Sequence, residues 1–318
     1  MTRPDSIDFS AIRVLDGGLA TELERRGCDI TGPLWSAHVL DRSPAALTAV
    51  HLDFLRAGAD CIATASYQIS AMGYRALGLS PRDAGAAAAR ALVQSVKIAE
   101  EARAQYASET PRRVWIAASL GPYGAALHNG AEYHGRYAID DEALVAFHTE
   151  RLGVLAETGA GLVAFETIPS LAEARAIVRA LAPFPQLTAW ISFTCRDAIH
   201  VAHGEPLQTC AEMLADVPRI AAIGINCTAP HLILPLLAAA QSGSQGRKPV
   251  IVYPNSGEVW DAATHCWHGD DNTLRFGSMA RSWFAAGAQA VGGCCRTRPA
   301  HIAAVAEAAR PVVPPARS

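Results

Sequence analysis

Two stretches of this sequence decide its fold and its candidate site: Val291-Gly292-Gly293-Cys294-Cys295-Arg296-Thr297 and, much earlier, Gly224-Ile225-Asn226-Cys227. In each stretch a short apolar run that contains glycine ends at cysteine. Continuous apolar runs of this kind are typical of parallel strands covered on both faces. Because the carboxyl ends of parallel strands lie at one edge of the sheet, we expect the cysteines of both stretches to lie at the same edge.

The thiols of these stretches are candidate metal ligands. Adjacent cysteines hold their Cβ atoms badly for a disulfide, so Cys294 and Cys295 are not expected to bond to each other. Two neighbouring thiolates can instead face one metal ion, and Cys227 supplies a third sulfur. Three protein ligands with an open fourth position are typical of catalytic zinc. The sequence therefore predicts a Zn²⁺ site formed by Cys227, Cys294 and Cys295.

The cysteines also allow two alternatives to this metal site. The first interprets cysteine as a small buried hydrophobic residue. It suits the five cysteines that have no partner at metal-ligand spacing, but it is disfavoured for two adjacent cysteines after Gly-Gly; the five are Cys28, Cys61, Cys195, Cys210 and Cys266. The second places the metal at His265-Cys266-x-His268, which lies in a predicted loop and has a spacing unlike the usual zinc patterns.

Eight apolar β-type runs alternate with helical segments along the chain. The predicted strands span residues 13–18, 58–64, 114–119, 162–166, 188–194, 220–226, 249–254 and 288–293. The predicted helices that follow them span 44–57, 82–107, 140–157, 171–181, 207–214, 231–240, 278–286 and 299–309. This alternation predicts an α/β fold, and eight repeats make a (β/α)8 TIM barrel the most economical interpretation.

The barrel is predicted to be one domain over residues 1–318, with short flexible ends at 1–11 and 311–318. A doubly wound sheet would need fewer strands and a glycine-rich turn that cradles phosphate. The first turn after a strand, residues 16–21, lacks the G-x-G-x-x-G pattern. A dinucleotide cofactor is therefore disfavoured.

Composition excludes several classes of partner. The chain has 27 basic and 30 acidic residues and a formal charge of −3, so nothing favours binding to nucleic acid or to an anionic membrane. No export signal opens the sequence, and no apolar run is long enough to span a bilayer. We expect a cytoplasmic protein whose cysteines stay reduced, and a monomer that acts on small molecules.

Polar and aromatic residues at the predicted strand ends suggest what the site binds. Asp16 and Glu166 would place two carboxylates in one barrel mouth, where they suit a cation such as an α-ammonium group; each is also a plausible helix cap or turn acceptor. Tyr67 and Trp35 offer aromatic faces that can receive a sulfonium or ammonium cation, or else they pack as ordinary aromatic residues. Asn226 and Ser256 also fall at strand ends and are predicted to bind substrate.

Seven motifs, taken together, resemble the zinc-dependent homocysteine S-methyltransferases over nearly the whole chain, from about residue 14 to residue 308. The motifs are Asp16-Gly17-Gly18, Thr64-Ala65-Ser66-Tyr67-Gln68, Gly121-Pro122-Tyr123-Gly124-Ala125, Phe165-Glu166-Thr167, Gly224-Ile225-Asn226-Cys227, Tyr253-Pro254-Asn255-Ser256-Gly257-Glu258 and Gly292-Gly293-Cys294-Cys295. The resemblance implies a methyltransferase that makes methionine from L-homocysteine, with Zn²⁺ activating the thiol of the substrate.

The resemblance also implies a role for each matching residue. Cys227, Cys294 and Cys295 would bind zinc. Asp16 and Glu166 would hold the amino group of homocysteine, and the amides of Gly17 and Gly18 would receive its carboxylate. Tyr67 and Trp35 match aromatic positions near the methyl group of the donor.

The methyl donor is predicted to be a sulfonium compound, S-methylmethionine or S-adenosylmethionine. The betaine-using branch of the family carries tyrosine directly after the glutamate that Glu166 matches, and this chain has Thr167 there. Cobalamin-dependent methionine synthases need further domains for which the chain has no length. The chain also departs from the expected pattern at Asn129, where the family suggests aspartate, and at His134, where it suggests a small polar residue.

Three other functions remain open at this point. Selenocysteine or another thiol in place of homocysteine is a close variant of the same reaction. Zinc-dependent barrel hydrolases and aldolases use histidine and carboxylate ligands, so a set of three cysteines counts against them. A non-catalytic zinc-binding or thiol-sensing barrel would normally fill all four ligand positions with protein groups.

Overall fold

A computed structural model of the chain describes residues 9–30, 34–261, 266–268 and 272–310. The strands are β1 Cys61–Ala63, β2 Trp115–Leu120, β3 Leu162–Ile168, β4 Thr188–Phe193, β5 Ile220–Asn226, β6 Val250–Tyr253, β7 Val259–Asp261, β8 Cys266–His268 and β9 Ala290–Val291. Seven of them form one parallel sheet in the order β1-β2-β3-β4-β5-β6-β9. Strands consecutive in the sequence are thus neighbours in this sheet, apart from the step from β6 to β9.

Helices follow the strands of the sheet and confirm the predicted α/β alternation. They are α1 Leu19–Arg25, α2 Trp35–Arg42, α3 Pro44–Ala57, α4 Ala71–Ala76, α5 Pro81–Glu109, α6 Tyr123–Ala126, α7 Asp141–Leu155, α8 Leu171–Leu181, α9 Leu207–Leu214, α10 Ile233–Ser244, α11 Thr273–Ala285 and α12 Pro299–Ala308. Helices α3, α8 and α9 begin and end where the sequence predicted. Among the described residues, no helix has both the length and the apolar character needed to cross a membrane.

The first predicted strand, residues 13–18, is not a strand of this sheet. Val14 forms an isolated parallel bridge with Val291, and Leu15 forms another with Cys61. The backbone N–H groups of Arg13 and Val14 donate to Asp60 Oδ2 at 3.0 and 2.9 Å, so a side chain takes donors that a strand would give to its neighbour. The sheet therefore has seven strands instead of the predicted eight, and the Val14–Leu15 segment contacts both of its edge strands.

The core has two layers, one on each face of the sheet. Successive strand residues point to opposite faces, and alternate residues of β3 accordingly enter different clusters. Leu162 and Ala164 belong to a small cluster with Trp190 and Tyr253, whereas Val163 belongs to the large cluster that the helices cover. Burial on both faces explains why the strands read as continuous apolar runs.

The described residues begin at Phe9, inside the stretch predicted to be a flexible end. Phe9–Ala11 form a 3-10 helix, and the Phe9 ring packs edge-on against Trp190 with ring centroids 5.9 Å apart. This contact places the start of the described chain in the small cluster on the inner face of the sheet. Residues 1–8 and 311–318 lie outside the described residues.

The predicted loop around Trp260 contains an antiparallel hairpin of β7 and β8. The hairpin stands apart from the seven-stranded sheet as a separate two-stranded ribbon. His265 lies outside the described residues, and so do the side chains of Cys266 and His268. The alternative metal site that these residues would form stays a prediction.

A buried polar network anchors the loop that follows β2. The Glu173 carboxylate, fully buried on α8, accepts a hydrogen bond from the Tyr137 hydroxyl at 3.0 Å and lies 3.0 Å from His148 Nε2 on α7. Arg151 donates to His148 Nδ1 at 2.8 Å, so His148 carries its proton on Nε2 and donates it to Glu173. The network thereby holds residues 121–137 over the carboxyl end of the sheet.

His51 on α3 predicts how stability depends on pH. The side chain is fully buried, neither ring nitrogen has a hydrogen-bond partner among the described residues, and burial lowers its pKa to about 4. An unfolded histidine titrates near about 6.5, so between these values the unfolded state binds a proton that the folded state does not. The free energy of unfolding should therefore fall as pH decreases through this window, by at most about 1.4 kcal/mol per pH unit from His51.

Urea unfolding of the wild-type protein and of His51→Phe between pH 7 and pH 4 measures this effect. The variant should lose less stability on acidification, because phenylalanine takes up no proton in the unfolded state. Other buried groups, such as His148, titrate in both proteins and cancel in the comparison. Equal slopes in the two proteins would show that His51 does not contribute.

Candidate metal and substrate site

Three thiols meet at the carboxyl end of the sheet, as the sequence predicted. Cys227 Sγ lies 3.6 Å from Cys295 Sγ, and the Sγ atoms of Cys227, Cys294 and Cys295 all lie within 4.8 Å of one another. Among the described residues this is the group of three histidine, cysteine or acidic side chains close enough to share a metal ion. Of the cysteines predicted to be packing residues, Cys61, Cys195 and Cys210 are buried, and Cys28 packs half-buried against the core.

The sheet brings these thiols together across one strand. β5 and β9 both pair with β6, so the chain after Asn226 and the chain after Val291 leave the sheet on either side of Tyr253. Cys227 then adopts a left-handed backbone conformation with φ +49°, which turns the chain sharply at the end of β5.

Glycine is required where the chain turns after β9. A Cβ atom on Gly293 would overlap the side chain of Thr297. Thr297 closes this turn, because its backbone N–H and its hydroxyl both donate to the carbonyl of Cys294, at 3.1 and 2.7 Å. The tight turn explains how two adjacent cysteines can present their sulfur atoms to one point.

Asn226 fixes the neighbouring strand ends and reaches the thiols. Its Oδ1 accepts the backbone N–H of Thr167 at 2.8 Å, and its Nδ2 donates to Thr167 Oγ1 at 3.0 Å. The same Nδ2 lies 3.8 Å from Cys294 Sγ. Thr167 has φ +61°, so this pair of bonds holds a strained residue directly after Glu166.

Hydrogen bonds link the three thiols of the cluster and shift their pKa values. Hydrogen bonds from Cys227 and Cys294 lower the pKa of Cys295, whereas hydrogen bonds to Cys294 and Cys295 raise the pKa of Cys227. The Tyr133 hydroxyl lies 3.7 Å from Cys227 Sγ and forms a further polar contact with the cluster.

Asp16 and Glu166 face the same cavity as the thiols. Asp16 Oδ2 accepts the backbone N–H of Ala63 at 2.8 Å, and Glu166 Oε1 accepts a short hydrogen bond from the Ser119 hydroxyl. Burial raises the pKa of Asp16 and raises that of Glu166 to about 7, and the negative charge of Glu166 raises the pKa of Asp16 further. Two carboxylates in such surroundings are stabilised by a cation placed between them.

Gly17 and Gly18 line the same cavity, which has a volume of about 210 Å³. The amide of Gly18 donates to the carbonyl and the hydroxyl of Thr297, at 3.2 and 3.1 Å. A Cβ atom on Gly18 would lie 2.7 Å from the carbonyl oxygen of Cys294. The glycine pair therefore lets the first turn of the chain lie directly against the turn that carries the two cysteines.

Tyr67 also lines this cavity, and its ring packs against Gly121, where a Cβ atom would lie 2.8 Å from the ring. Burial raises the pKa of Tyr67, and its hydroxyl is hydrogen bonded to Thr167. The backbone of Trp35 begins α2, but its side chain lies outside the described residues, so its predicted role stays a prediction.

Ser256 is buried beside a second, larger cavity of about 720 Å³. Its backbone N–H donates to the carbonyl of Cys295 at 3.1 Å, and its hydroxyl donates to Glu258 Oε2 at 3.1 Å. Glu258 in turn accepts Arg296 Nε at 3.2 Å. Ser256, which follows β6, thus stabilises the turn that carries Cys294 and Cys295.

Sequence reasoning missed several residues that line the site. Glu132 and Tyr133 belong to a 3-10 turn, Ala131–Tyr133, in the loop after β2, and Tyr133 contributes to both cavities. Ser119, the last residue but one of β2, and Tyr253, the last residue of β6, line the smaller cavity. The ends of predicted strands signalled Ser119 and Tyr253, but no pattern in the loop distinguished Glu132 and Tyr133.

The two departures from the family pattern have local roles in that loop. Asn129 Oδ1 accepts the backbone N–H of Ala131 at 3.1 Å, and His134 Nδ1 accepts that of Arg136 at 3.1 Å. Both side chains are exposed and shape the chain on either side of the 3-10 turn. Neither residue lines the smaller cavity.

Comparison with known proteins gives a consistent result. Residues 13–309 match the family model described as homocysteine S-methyltransferase. The chain is 46% identical to homocysteine S-methyltransferase YbgG of Bacillus subtilis over 310 residues, covering 96% of each chain. It is 43% identical to homocysteine S-methyltransferase of Escherichia coli, covering 94% of this chain and 96% of that one.

A solved structure shares the fold. The metallated form of the homocysteine methyltransferase MmuM from Escherichia coli aligns with a TM-score of 0.80 at 41% identity, covering 93% of this chain and 96% of that one. An oxidized form of the same protein aligns with a TM-score of 0.81.

The close packing of the turn that carries Cys294 and Cys295 predicts that replacing Gly293 by alanine lowers stability. Gly293→Ala should lower the free energy of unfolding by about 1–3 kcal/mol, because the new Cβ displaces the Thr297 side chain that closes the turn. Gly85→Ala is a matched control, since Gly85 lies inside α5 and a Cβ there meets nothing within 4 Å. That control should raise stability by about 0.5–1 kcal/mol.

Urea denaturation of both variants against the wild-type protein tests this contrast. The opposite signs are the result to look for, because they separate crowding from the general effect of replacing glycine by alanine. A Gly293→Ala protein as stable as the wild type would mean that the turn relaxes without loss.

Proposed function

Because the chain belongs to the homocysteine S-methyltransferase family, we propose that the methyl group it transfers to L-homocysteine comes from a sulfonium donor, S-methylmethionine or S-adenosylmethionine, and that Zn²⁺ activates the acceptor thiol. Methionine is the product. The observation that carries the proposal is the convergence of three sulfur atoms within 4.8 Å beside a cavity lined by Asp16 and Glu166.

The residues of the thiol cluster fit zinc. Cys227, Cys294 and Cys295 offer three soft sulfur donors and leave a position for a substrate atom, which is the pattern of a catalytic zinc site. The similarity to a metallated Escherichia coli methyltransferase supports a metal here as well. Zinc held by these residues would supply a deprotonated substrate thiol at neutral pH, where a free thiol with a pKa near about 8.5 is only a few per cent ionised.

Homocysteine is placed in the smaller cavity. The Asp16 and Glu166 carboxylates would hold its ammonium group, and the cation would offset the burial that raises both of their pKa values. The backbone of Gly17 and Gly18 would receive its carboxylate; the Gly18 amide would then share its hydrogen atom with Thr297. Asn226 orients the strand ends on which Glu166 and Cys227 lie.

The donor is placed on the side of Tyr67 and Tyr133, with Trp35 as a further aromatic contact. Tyr133 borders both cavities, so a donor lying in the larger cavity would bring its sulfonium centre up to the thiol cluster. Aromatic faces attract a sulfonium cation. Ser256 lines the larger cavity and would contact the body of the donor. Thr167, in place of the tyrosine found in the betaine-using branch, argues against betaine.

The reaction needs orientation more than acid–base catalysis. The donor is already a cation and leaves as a neutral thioether, so no side chain has to protonate it. Residues that align the acceptor sulfur with the methyl group can lower the barrier by several kcal/mol, on the order of the effective-molarity gains seen in intramolecular reactions. Charge is neutralised as the methyl group moves, so buried walls such as Tyr67 favour the step.

We further propose that the sheet closes into an eight-stranded barrel in one domain. The support is the Val14–Leu15 segment, which bridges to Val291 on one side and to Cys61 on the other. A reducing compartment, the cytoplasm, would keep the thiol cluster able to bind metal.

Methionine formation with three donors tests the proposal. Purified protein incubated with homocysteine should form methionine with S-methylmethionine or S-adenosylmethionine and not with betaine, because its donor side offers aromatic faces without the betaine-specific tyrosine. The same assay with selenocysteine tests the alternative acceptor. Robust turnover with betaine alone would overturn the donor assignment.

Removal of the metal extends this test. Chelation should abolish activity, and added zinc should restore it, because the acceptor thiol is only slightly ionised without a metal. Cys227→Ser should bind zinc more weakly and lose activity while circular dichroism shows a folded protein. Full activity in metal-free protein would refute the role of zinc.

A further inference from the structure

Glu132 is a third carboxylate at the site, and neither the thiol cluster nor the pair Asp16–Glu166 uses it. It lies in the 3-10 turn Ala131–Tyr133 and lines the smaller cavity. The turn packs directly against Gly124. A Cβ atom on Gly124 would overlap the backbone between Ala131 and Glu132. The carboxylate is therefore presented to the cavity by a closely packed backbone.

One oxygen of this carboxylate has no hydrogen-bond partner among the described residues. Glu132 Oε2 is buried and accepts no hydrogen bond from any described residue. Other buried carboxylates near the site are satisfied: Asp16 by the Ala63 amide and Glu166 by Ser119. Leaving a buried carboxylate oxygen unpaired is costly, so such a group at a cavity wall indicates that a ligand supplies the missing partner.

Glu132 also faces a different part of the cavity from the other two carboxylates. The charge of Glu166 acts on Asp16, whereas the charge of Glu132 raises the pKa of Tyr67 and of Tyr137. The neighbouring residue Tyr133 contacts Cys227 and borders the larger cavity. Glu132 thus lies in the smaller cavity near Tyr67 and next to Tyr133, the aromatic residues assigned to the donor.

We propose that Glu132 recognises the positive charge of the sulfonium centre of the methyl donor. The inference rests on the proposed function, because it assigns a residue to the donor that this function requires. A carboxylate beside aromatic faces binds the cationic donor and has no such attraction for the neutral thioether that remains after methyl transfer. Glu132 therefore favours donor binding and product release together.

This role predicts a separation of KM from kcat. The attraction is strongest before the methyl group moves, since the positive charge of the donor disappears during the transfer. An interaction made mainly with the bound donor lowers its KM without raising kcat. Glu132→Gln should therefore raise the KM for S-methylmethionine by about 10- to 100-fold, leave the KM for homocysteine unchanged and cause no fall in kcat.

A pair of ligands that differ only in charge isolates the effect. In 2-amino-5-methylhexanoic acid a CH group replaces the sulfonium of S-methylmethionine, so its shape is preserved and its positive charge at that position is lost. Wild-type protein should bind S-methylmethionine more tightly than this isostere. Glu132→Gln should lose that preference, because it weakens binding of the cation and leaves binding of the isostere unchanged.

Isothermal titration of both ligands into protein without homocysteine measures this preference in the absence of turnover. Glu142→Gln is the matched control: it removes one negative charge from a side chain that is 75% exposed and forms an ion pair with Arg179. This control should keep the wild-type preference. Zinc content and thermal unfolding establish that each variant is folded, and Glu132→Ala provides a second variant for which the same loss is expected.

The outcomes separate this inference from the proposed function. A Glu132→Gln protein that keeps the full preference for the sulfonium overturns the role of Glu132 while the donor class stands. A variant that raises the KM for homocysteine alone also overturns it, since Glu132 would then serve the acceptor. Wild-type protein that neither prefers the sulfonium ligand nor uses any sulfonium donor would instead overturn the proposed function.

Discussion

The site depends on one constraint, the convergence of sulfur atoms from two chain segments that flank a single strand. β6 pairs with β5 on one side and with β9 on the other, and the 3.6 Å separation between Cys227 Sγ and Cys295 Sγ follows from the sharp turns at both strand ends. These turns are stabilised by the hydrogen bonds of Asn226, Thr297 and Ser256. Cys227 and Cys295 line both of the cavities that Tyr133 borders.

This arrangement places strained backbone conformations and two carboxylates with raised pKa values at the site. Thr167, Cys227 and Arg296 adopt left-handed backbone conformations, each of which costs on the order of 1–3 kcal/mol for a residue with a side chain. Burial raises the pKa values of Asp16 and Glu166, because it disfavours the charged form of each carboxylate. Binding of an amino acid with an ammonium group would stabilise the charged form of both carboxylates, and ligand binding and stability are therefore expected to be coupled.

Features that depend on local pattern could be predicted from the sequence, and features that depend on side-chain competition could not. The apolar runs before Cys227 and Cys294 were sufficient to place both at one edge of a parallel sheet, and the helical period of α3 and α8 gave their limits. The segment at Val14 looked like a strand, but Asp60 takes its backbone donors. The β7–β8 hairpin, the turn at Glu132 and the contact of Tyr133 with Cys227 arise in loops, where periodicity gives no signal. The bond from Gly18 to Thr297 joins residues 279 positions apart and has no signature in the sequence.

X-ray absorption at the zinc edge tests the central claim most directly, because it counts the sulfur atoms bound to the metal. The zinc-loaded protein should show three sulfur ligands at about 2.3 Å, and a fourth should appear when homocysteine is added. Protein with Cys294→Ser should show one sulfur fewer in each state. A spectrum with fewer than three sulfur ligands in the wild-type protein, or with no additional sulfur after homocysteine binds, would contradict this account.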